Sequence, residues 1–414
     1  MKTLIQNIKT IVQANPKPKK KICGKEMSQL PCLDNGWISI ENGLISGFGE
    51  MKDAPSKAHF DNLIDANGKL VFPSWCDSHT HIVYAGSREG EFVDRIRGLS
   101  YEEIAKKGGG ILNSAERLNK TSEDELFESA FARLKEITHY GTGAVEIKSG
   151  YGLSLEGEIK MLRVIKRLKA HSPLTIKASF LGAHAVPAKY KQNRQEYIDL
   201  IINEMLPVIG KEKLADYCDV FCDRGFFTPD ETDAILQAGW KYGLQPKIHA
   251  NELDYSGGIQ VGVKNKALSV DHLEFTGDKE IETLLPSATM PTLLPSTAFF
   301  LGLHYPPARK MIDAGLPLAL ASDYNPGSSP SGRMPFIISL ACVKLKMLPE
   351  EAINAATINS AYAMGVGATH GSITIGKKAS LFITKPIANY NLIPYSFGSD
   401  LIEQVIIEGK LQGK

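Results

Sequence analysis

Val71-Phe72-Pro73-Ser74-Trp75-Cys76-Asp77-Ser78-His79-Thr80-His81 is the stretch on which the reading of this chain turns. It is an apolar run closed by two histidines at i and i+2. In extended backbone alternate side chains share a face, so His79 and His81 present two imidazoles side by side. Such a pair suits a borderline metal ion such as zinc or iron. Two histidines this close also fit a solvated loop, and the rest of the chain has to decide.

Eight short, mostly apolar runs recur along the middle of the chain, at 71–77, 143–148, 174–181, 216–221, 244–249, 268–271, 288–294 and 318–322. Turn residues follow each. Helical patterns lie between several of them, at 122–140, 154–170, 194–209 and 229–242, and Ser122 with Glu125 reads as a capping box. Strands alternating with helices predict a parallel sheet. Eight such units predict a closed (β/α)8, TIM-like barrel in an α/β chain. An open doubly wound sheet is the other architecture, but no Gly-x-Gly-x-x-Gly follows an early strand. Gly108-Gly109-Gly110 stands in a polar stretch after Lys106-Lys107 and reads as a flexible active-site loop or a helix breaker, not a phosphate cradle.

The two ends differ from the middle. Asn42-Gly43 between strand-like runs is a hairpin signal, and the stretch from about 371 to the end is again β-rich. The expected plan is a small composite β-sandwich domain from 1–66 and 367–414, with the barrel in 67–366.

The formal net charge of +1 points to no nucleic-acid partner, and the short run Lys17-Pro18-Lys19-Lys20-Lys21 reads as a solvated loop. Six scattered cysteines form neither a zinc framework nor a disulfide framework. No apolar run approaches a membrane span, and the first residues lack the pattern of a signal peptide. A cytoplasmic protein with no membrane partner is expected.

Active sites of such barrels lie at the C-terminal ends of the strands. Five of the ten histidines fall there: His79, His81, His184, His249 and His272. A catalytic metal needs three or four nitrogen or oxygen ligands and an open position. His79, His81, His249 and Asp323 supply three imidazoles and a carboxylate. Glu252 is placed to take a proton from a metal-activated water and return it to a leaving nitrogen. His272 can stabilise an oxyanion or orient the water, and His184 can do similar work from the other side. Lys148 reads as structural or supporting rather than as a carbamylated bridge between two metals.

His79-Thr80-His81, His249 with Glu252, His272 and Asp323 together resemble the amidohydrolase superfamily in its one-metal subtype. Tyr84-Ala85-Gly86-Ser87-Arg88, Lys148-Ser149-Gly150-Tyr151-Gly152, Gly182-Ala183-His184 and Asp323-Tyr324-Asn325-Pro326-Gly327-Ser328 are similar to its branch that opens the imidazolone ring in histidine degradation. Pro73-Ser74-Trp75-Cys76-Asp77-Ser78 departs from that pattern but spares the histidine pair. The resemblance implies hydrolysis of 4-imidazolone-5-propanoate to N-formimidoyl-L-glutamate, one zinc or iron ion per subunit, and a homodimer. It implies a carboxylate fork at Arg88. Tyr151 and His184 would offer donors to the ring, Glu252 would also touch substrate, and Asn325, Gly327 and Ser328 would form a ligand-facing loop. The rival readings are a deaminase of a small heterocycle such as cytosine or guanine, and a non-catalytic oligomeric barrel scaffold.

Overall fold

In the computed structural model of the chain, which describes residues 2–99, 103 and 109–413, the first apolar run divides between two sheets. Leu70–Pro73 joins a sheet built from both ends of the chain, and Trp75–Thr80 opens the barrel. A single strand across 71–77 was expected. The change of sheet falls at Ser74, whose N–H donates to the carbonyl of Ser380. Gly108 and the lysines before it lie outside the described residues. Gly110 is described, with φ of 84°, as the residue that caps the helix Ile111–Lys120.

The terminal sheet contains β1 (Lys2–Val12), β2 (Cys32–Glu41), β3 (Leu44–Glu50), β4 (Asn62–Asp65) and β5 (Leu70–Pro73), with three strands from the far end of the chain. Those are β14 (Leu381–Thr384), β15 (Ile402–Ile407) and β16 (Lys410–Leu411). The strand order is β16-β15-β14-β5-β1-β2-β3, and β4 pairs with β1. β1 shifts register between Ile5 and Ile8. Its first half runs parallel to β4 and its second half parallel to β5, so one strand serves two neighbours. Ile5, Ile8, Ile11, Ile38, Val71 and Leu381 pack the apolar core of this layer. The Asn42-Gly43 turn joins β2 to β3.

The barrel strands run in chain order. They are β6 (Trp75–Thr80), β7 (Thr142–Lys148), β8 (Thr175–Ala183), β9 (Tyr217–Cys222), β10 (Gln245–Ala250), β11 (Ser269–His272), β12 (Met290–Leu293) and β13 (Ala319–Leu320). Every neighbouring pair is parallel. β13 is only two residues long, yet the chain beyond it returns to β6. Tyr324 bridges Thr80, and the His81 N–H donates to the Tyr324 carbonyl over 2.9 Å.

Helices cover the outside as their patterns predict. Ser122 caps Glu123–His139 with both hydrogen bonds of the capping box, and Leu126, Ala130, Leu134 and Ile137 line its buried stripe. The expected helix from 194 passes through a widened turn at Ile201–Met205 before continuing to Glu212. Pro207 explains the widening, because it lacks an N–H and its ring crowds the carbonyl one turn back. Phe72, Trp75 and Phe382 pin the terminal sheet to the barrel, with Phe72 and Phe382 stacked at 4.9 Å. Among the described residues no helix is long and apolar enough to cross a membrane.

Candidate active site

The C-terminal ends of the barrel strands surround a cavity of about 530 Å³. β6 delivers His79 and His81, β10 delivers His249, and the turn after β13 delivers Asp323. All four are buried. Nε2 of His81 lies 3.2 Å from Nε2 of His79 and 3.4 Å from Nε2 of His249. Asp323 Oδ1 lies 3.5 Å from Nε2 of both His79 and His81. Ligands at about 2.0–2.1 Å around a tetrahedral ion stand about 3.3–3.4 Å apart. The distances from His81 to His79 and His249, and from Asp323 to His79 and His81, are close to that spacing.

His79 and His81 are also in the form that binds metal. Burial pushes His79 and His81 well below the usual imidazole range, which keeps them neutral. His79 Nδ1 donates to Asp271 over 2.7 Å and His249 Nδ1 donates to Asp219 over 3.1 Å. With Nδ1 engaged in this way, each ring turns its Nε2 toward the cluster. Asp323 is fixed in the same way. Its Oδ2 accepts from Thr297 Oγ1 over 2.6 Å and from Ser328 Oγ over 3.3 Å, leaving Oδ1 toward the histidines. The site can hold a metal ion. His272 shares the cluster with His79 and Asp323.

Glu252 lines the cavity beside His272, with 3.7 Å between its Oε2 and His272 Nδ1. Burial, and then the carboxylates of Asp323 and Asp223, push its carboxyl up to about 8. Its backbone is held by Asp223 Oδ2, which accepts from the N–H groups of Glu252 and Leu253. His272 and Leu273 have φ of 86° and 70°, a strained left-handed backbone at the end of β11.

Arg88, Tyr151, His184, Asn325, Gly327 and Ser328 line the same cavity. Arg88 Nε donates to Ser114 over 2.8 Å, and its guanidinium lies 6.0 Å from the centre of the Tyr151 ring. Burial pushes the Tyr151 hydroxyl well above its usual range, so it remains a donor. His184 differs from the expected donor. Its Nδ1 donates to the carbonyl of Gly150 over 3.0 Å, and burial pushes the ring down to about 3. The remaining Nε2 is an acceptor. Asn325 also differs. Its Nδ2 donates to Asp323 O and Ser328 Oγ, and its Oδ1 accepts from the N–H groups of Gly327 and Ser328. These hydrogen bonds build the loop, and Asn325 still lines the cavity.

The chain matches the Amidohydrolase family over residues 70–411. It belongs to that family. Hydrolysis is accordingly its class of reaction. The chain is 59% identical to imidazolonepropionase of Flavobacterium johnsoniae over 411 residues, covering 99% of this chain and all of that one. It is 60% identical to imidazolonepropionase of Flavobacterium psychrophilum with the same coverage. Among solved structures it is similar to E. coli guanine deaminase, with a TM-score of 0.75 at 14% identity, covering 99% of this chain and 98% of that one. At that identity the likeness concerns the fold of an amidohydrolase, not its substrate.

Sequence reasoning passed over several residues that shape the site. Arg95 lines the cavity and donates to Gly327 O over 3.0 Å. Phe221, Phe226, Leu301 and Leu303 give it an apolar wall. Asp219 and Asp271 orient two of the histidines. They lie on strands already identified, Asp219 three residues and Asp271 one residue before the strand end. Nothing local marks Thr297, which reaches Asp323 from 26 residues away.

Proposed function

We propose that this chain hydrolyses the ring C–N bond of 4-imidazolone-5-propanoate to N-formimidoyl-L-glutamate, in histidine degradation in the cytoplasm. One zinc or iron ion per subunit, held by His79, His81, His249 and Asp323, and a homodimeric assembly complete the reading. Three imidazoles and a carboxylate suit either metal. The observation that carries the proposal is a full-length identity of 59% to a relative of that name, joined to a buried three-histidine, one-aspartate cluster that opens on a cavity with Arg88.

When bound, such an ion lowers the pKa of a water toward about 7 and polarises a carbonyl oxygen. The residues of the chain do the rest. Arg88 pairs with the flexible propanoate through its planar fork. Tyr151 donates to the substrate, and His184 Nε2 accepts from a ring N–H. Glu252 takes the proton of the attacking water as it adds to the ring carbonyl carbon. The carboxyl then passes that proton to the ring nitrogen as the C–N bond opens. His272 beside Glu252 stabilises the developing oxyanion.

Incubation with freshly made imidazolone propanoate, and separately with guanine and cytosine, tests the proposal. Ring opening of the first without ammonia from the others is expected. Ammonia from guanine or cytosine, with the imidazolone ring left intact, would replace this reading with a deaminase.

A further inference from the structure

Beneath the histidine cluster lies a closed group of charges that the proposed reaction does not use. Glu146, Lys148, Asp219, Lys247 and Asp271 are all buried. Lys148 Nζ donates to Glu146 Oε1 over 2.6 Å and to Asp219 Oδ2 over 2.7 Å, and lies 3.7 Å from Asp271 Oδ2. Asp219 and Asp271 are the carboxylates that hold His249 and His79. His81 has no such support, because its Nδ1 is without a partner among the described residues. Two of the three imidazoles are therefore oriented, and both orienting carboxylates meet at one ammonium.

We propose that Lys148 is a positioning residue that ties Asp219 and Asp271, and through them His249 and His79, into one preset metal-binding unit. The inference rests on the metal reading of the site and not on the identity of the substrate. Three features carry it. Lys148 hydrogen-bonds two carboxylates and forms an ion pair with a third, and two of the three, Asp219 and Asp271, hold separate histidines. The carboxylates are too deeply buried to be solvated, and a buried charge is costly unless it is paired. Lys247, the other buried ammonium, shares Glu146 with Lys148 but otherwise donates to the Ser78 carbonyl at 3.1 Å and the Ala363 carbonyl at 3.3 Å, and among the described residues it makes no hydrogen bond to Asp219 or Asp271. Carbamylation would replace the cation at Lys148 with an anion facing carboxylates, which the surroundings oppose.

The test compares Lys148→Met with Lys247→Met in full-length protein stripped of metal and titrated with cobalt(II). Both changes delete a buried charge, and only the first cuts the link between the carboxylates. Lys148→Met is expected to weaken cobalt binding ten- to hundred-fold and to alter the visible ligand-field bands. Lys247→Met is expected to lower the melting temperature while keeping those bands. If Lys148→Met does not fold, Lys148→Met/Glu146→Gln, which preserves net charge, takes its place with the same expectation. Parent-like affinity and bands in the Lys148 variant, or equal losses in both, would overturn the assignment. A parent protein that binds no cobalt would instead overturn the metal reading beneath it.

Discussion

The backbone N–H of Asp323 donates to the carbonyl oxygen of His79 over 3.0 Å, across the seam where the last barrel strand meets the first. With the bond from the His81 N–H to the Tyr324 carbonyl, it closes the barrel and sets the Asp323 carboxylate beside the His79 imidazole. Asp77 reinforces the seam by accepting from both the N–H and the hydroxyl of Ser322. The candidate metal site and the barrel closure are one construction.

Thr297 fixes which oxygen of Asp323 faces the histidines. Thr297→Val keeps the shape and deletes the donor, freeing the carboxylate to rotate. Metal affinity should fall by roughly ten-fold with little loss of thermal stability. Competition with a chromophoric chelator reads the change, and parent-like affinity would show that the hydroxyl does not hold the ligand.

Gly327 leaves room for Arg88. A Cβ at position 327 would stand 2.5 Å from Arg88 Nη1. Gly327→Ala should push the guanidinium away from the substrate carboxylate, raising KM by roughly ten-fold, as expected for about 1.4 kcal/mol of lost binding, with kcat little changed. Steady-state kinetics decide. A fall in kcat at constant KM would mean that the loop acts on the chemistry rather than on the carboxylate.

Glu252→Gln removes the proton carrier and preserves size. Bound metal should stay at the parent level while kcat falls by roughly 10²–10⁴. Near-parent turnover in the metal-loaded variant would assign the proton to another group.

His370 gives the fold an acid limit that is separate from the site. It is buried, its Nδ1 meets Thr369 Oγ1, and its Nε2 has no partner among the described residues. Burial, and then Lys378 and Lys377, push it down to about 4. The folded chain therefore resists protonation more than the unfolded chain does. The neutral ring's contribution is complete above about pH 6.5 and is lost as the pH falls toward about 4, amounting to about 3 kcal/mol. Melting curves between pH 7 and 4 should fall less steeply for His370→Gln than for the parent. Identical slopes would place the acid sensitivity elsewhere.

The sequence made the barrel legible because its strands are short, apolar and ended by turn residues, and because chemistry-bearing side chains gather at their C-terminal ends. His79, His81, His249 and Asp323 could be read together for that reason. The division of the first run was hidden, since Val71 to Cys76 is apolar but for Ser74 and only pairing with β1 and β14 separates its halves. The roles of His184 and Asn325 depended on hydrogen bonds to Gly150 and within the 325–328 loop, which residue type does not reveal. Lys148 was visible, but its meaning lies in partners on β9 and β11, brought to it by closure of the sheet.

The most direct test of the account measures turnover of freshly made 4-imidazolone-5-propanoate together with metal content on the same preparations, from fully stripped to fully loaded. The account predicts N-formimidoyl-L-glutamate at a rate that rises in proportion to bound metal and saturates at one ion per chain. A fully loaded protein that leaves the ring closed, or an equal rate in stripped and loaded samples, would contradict it.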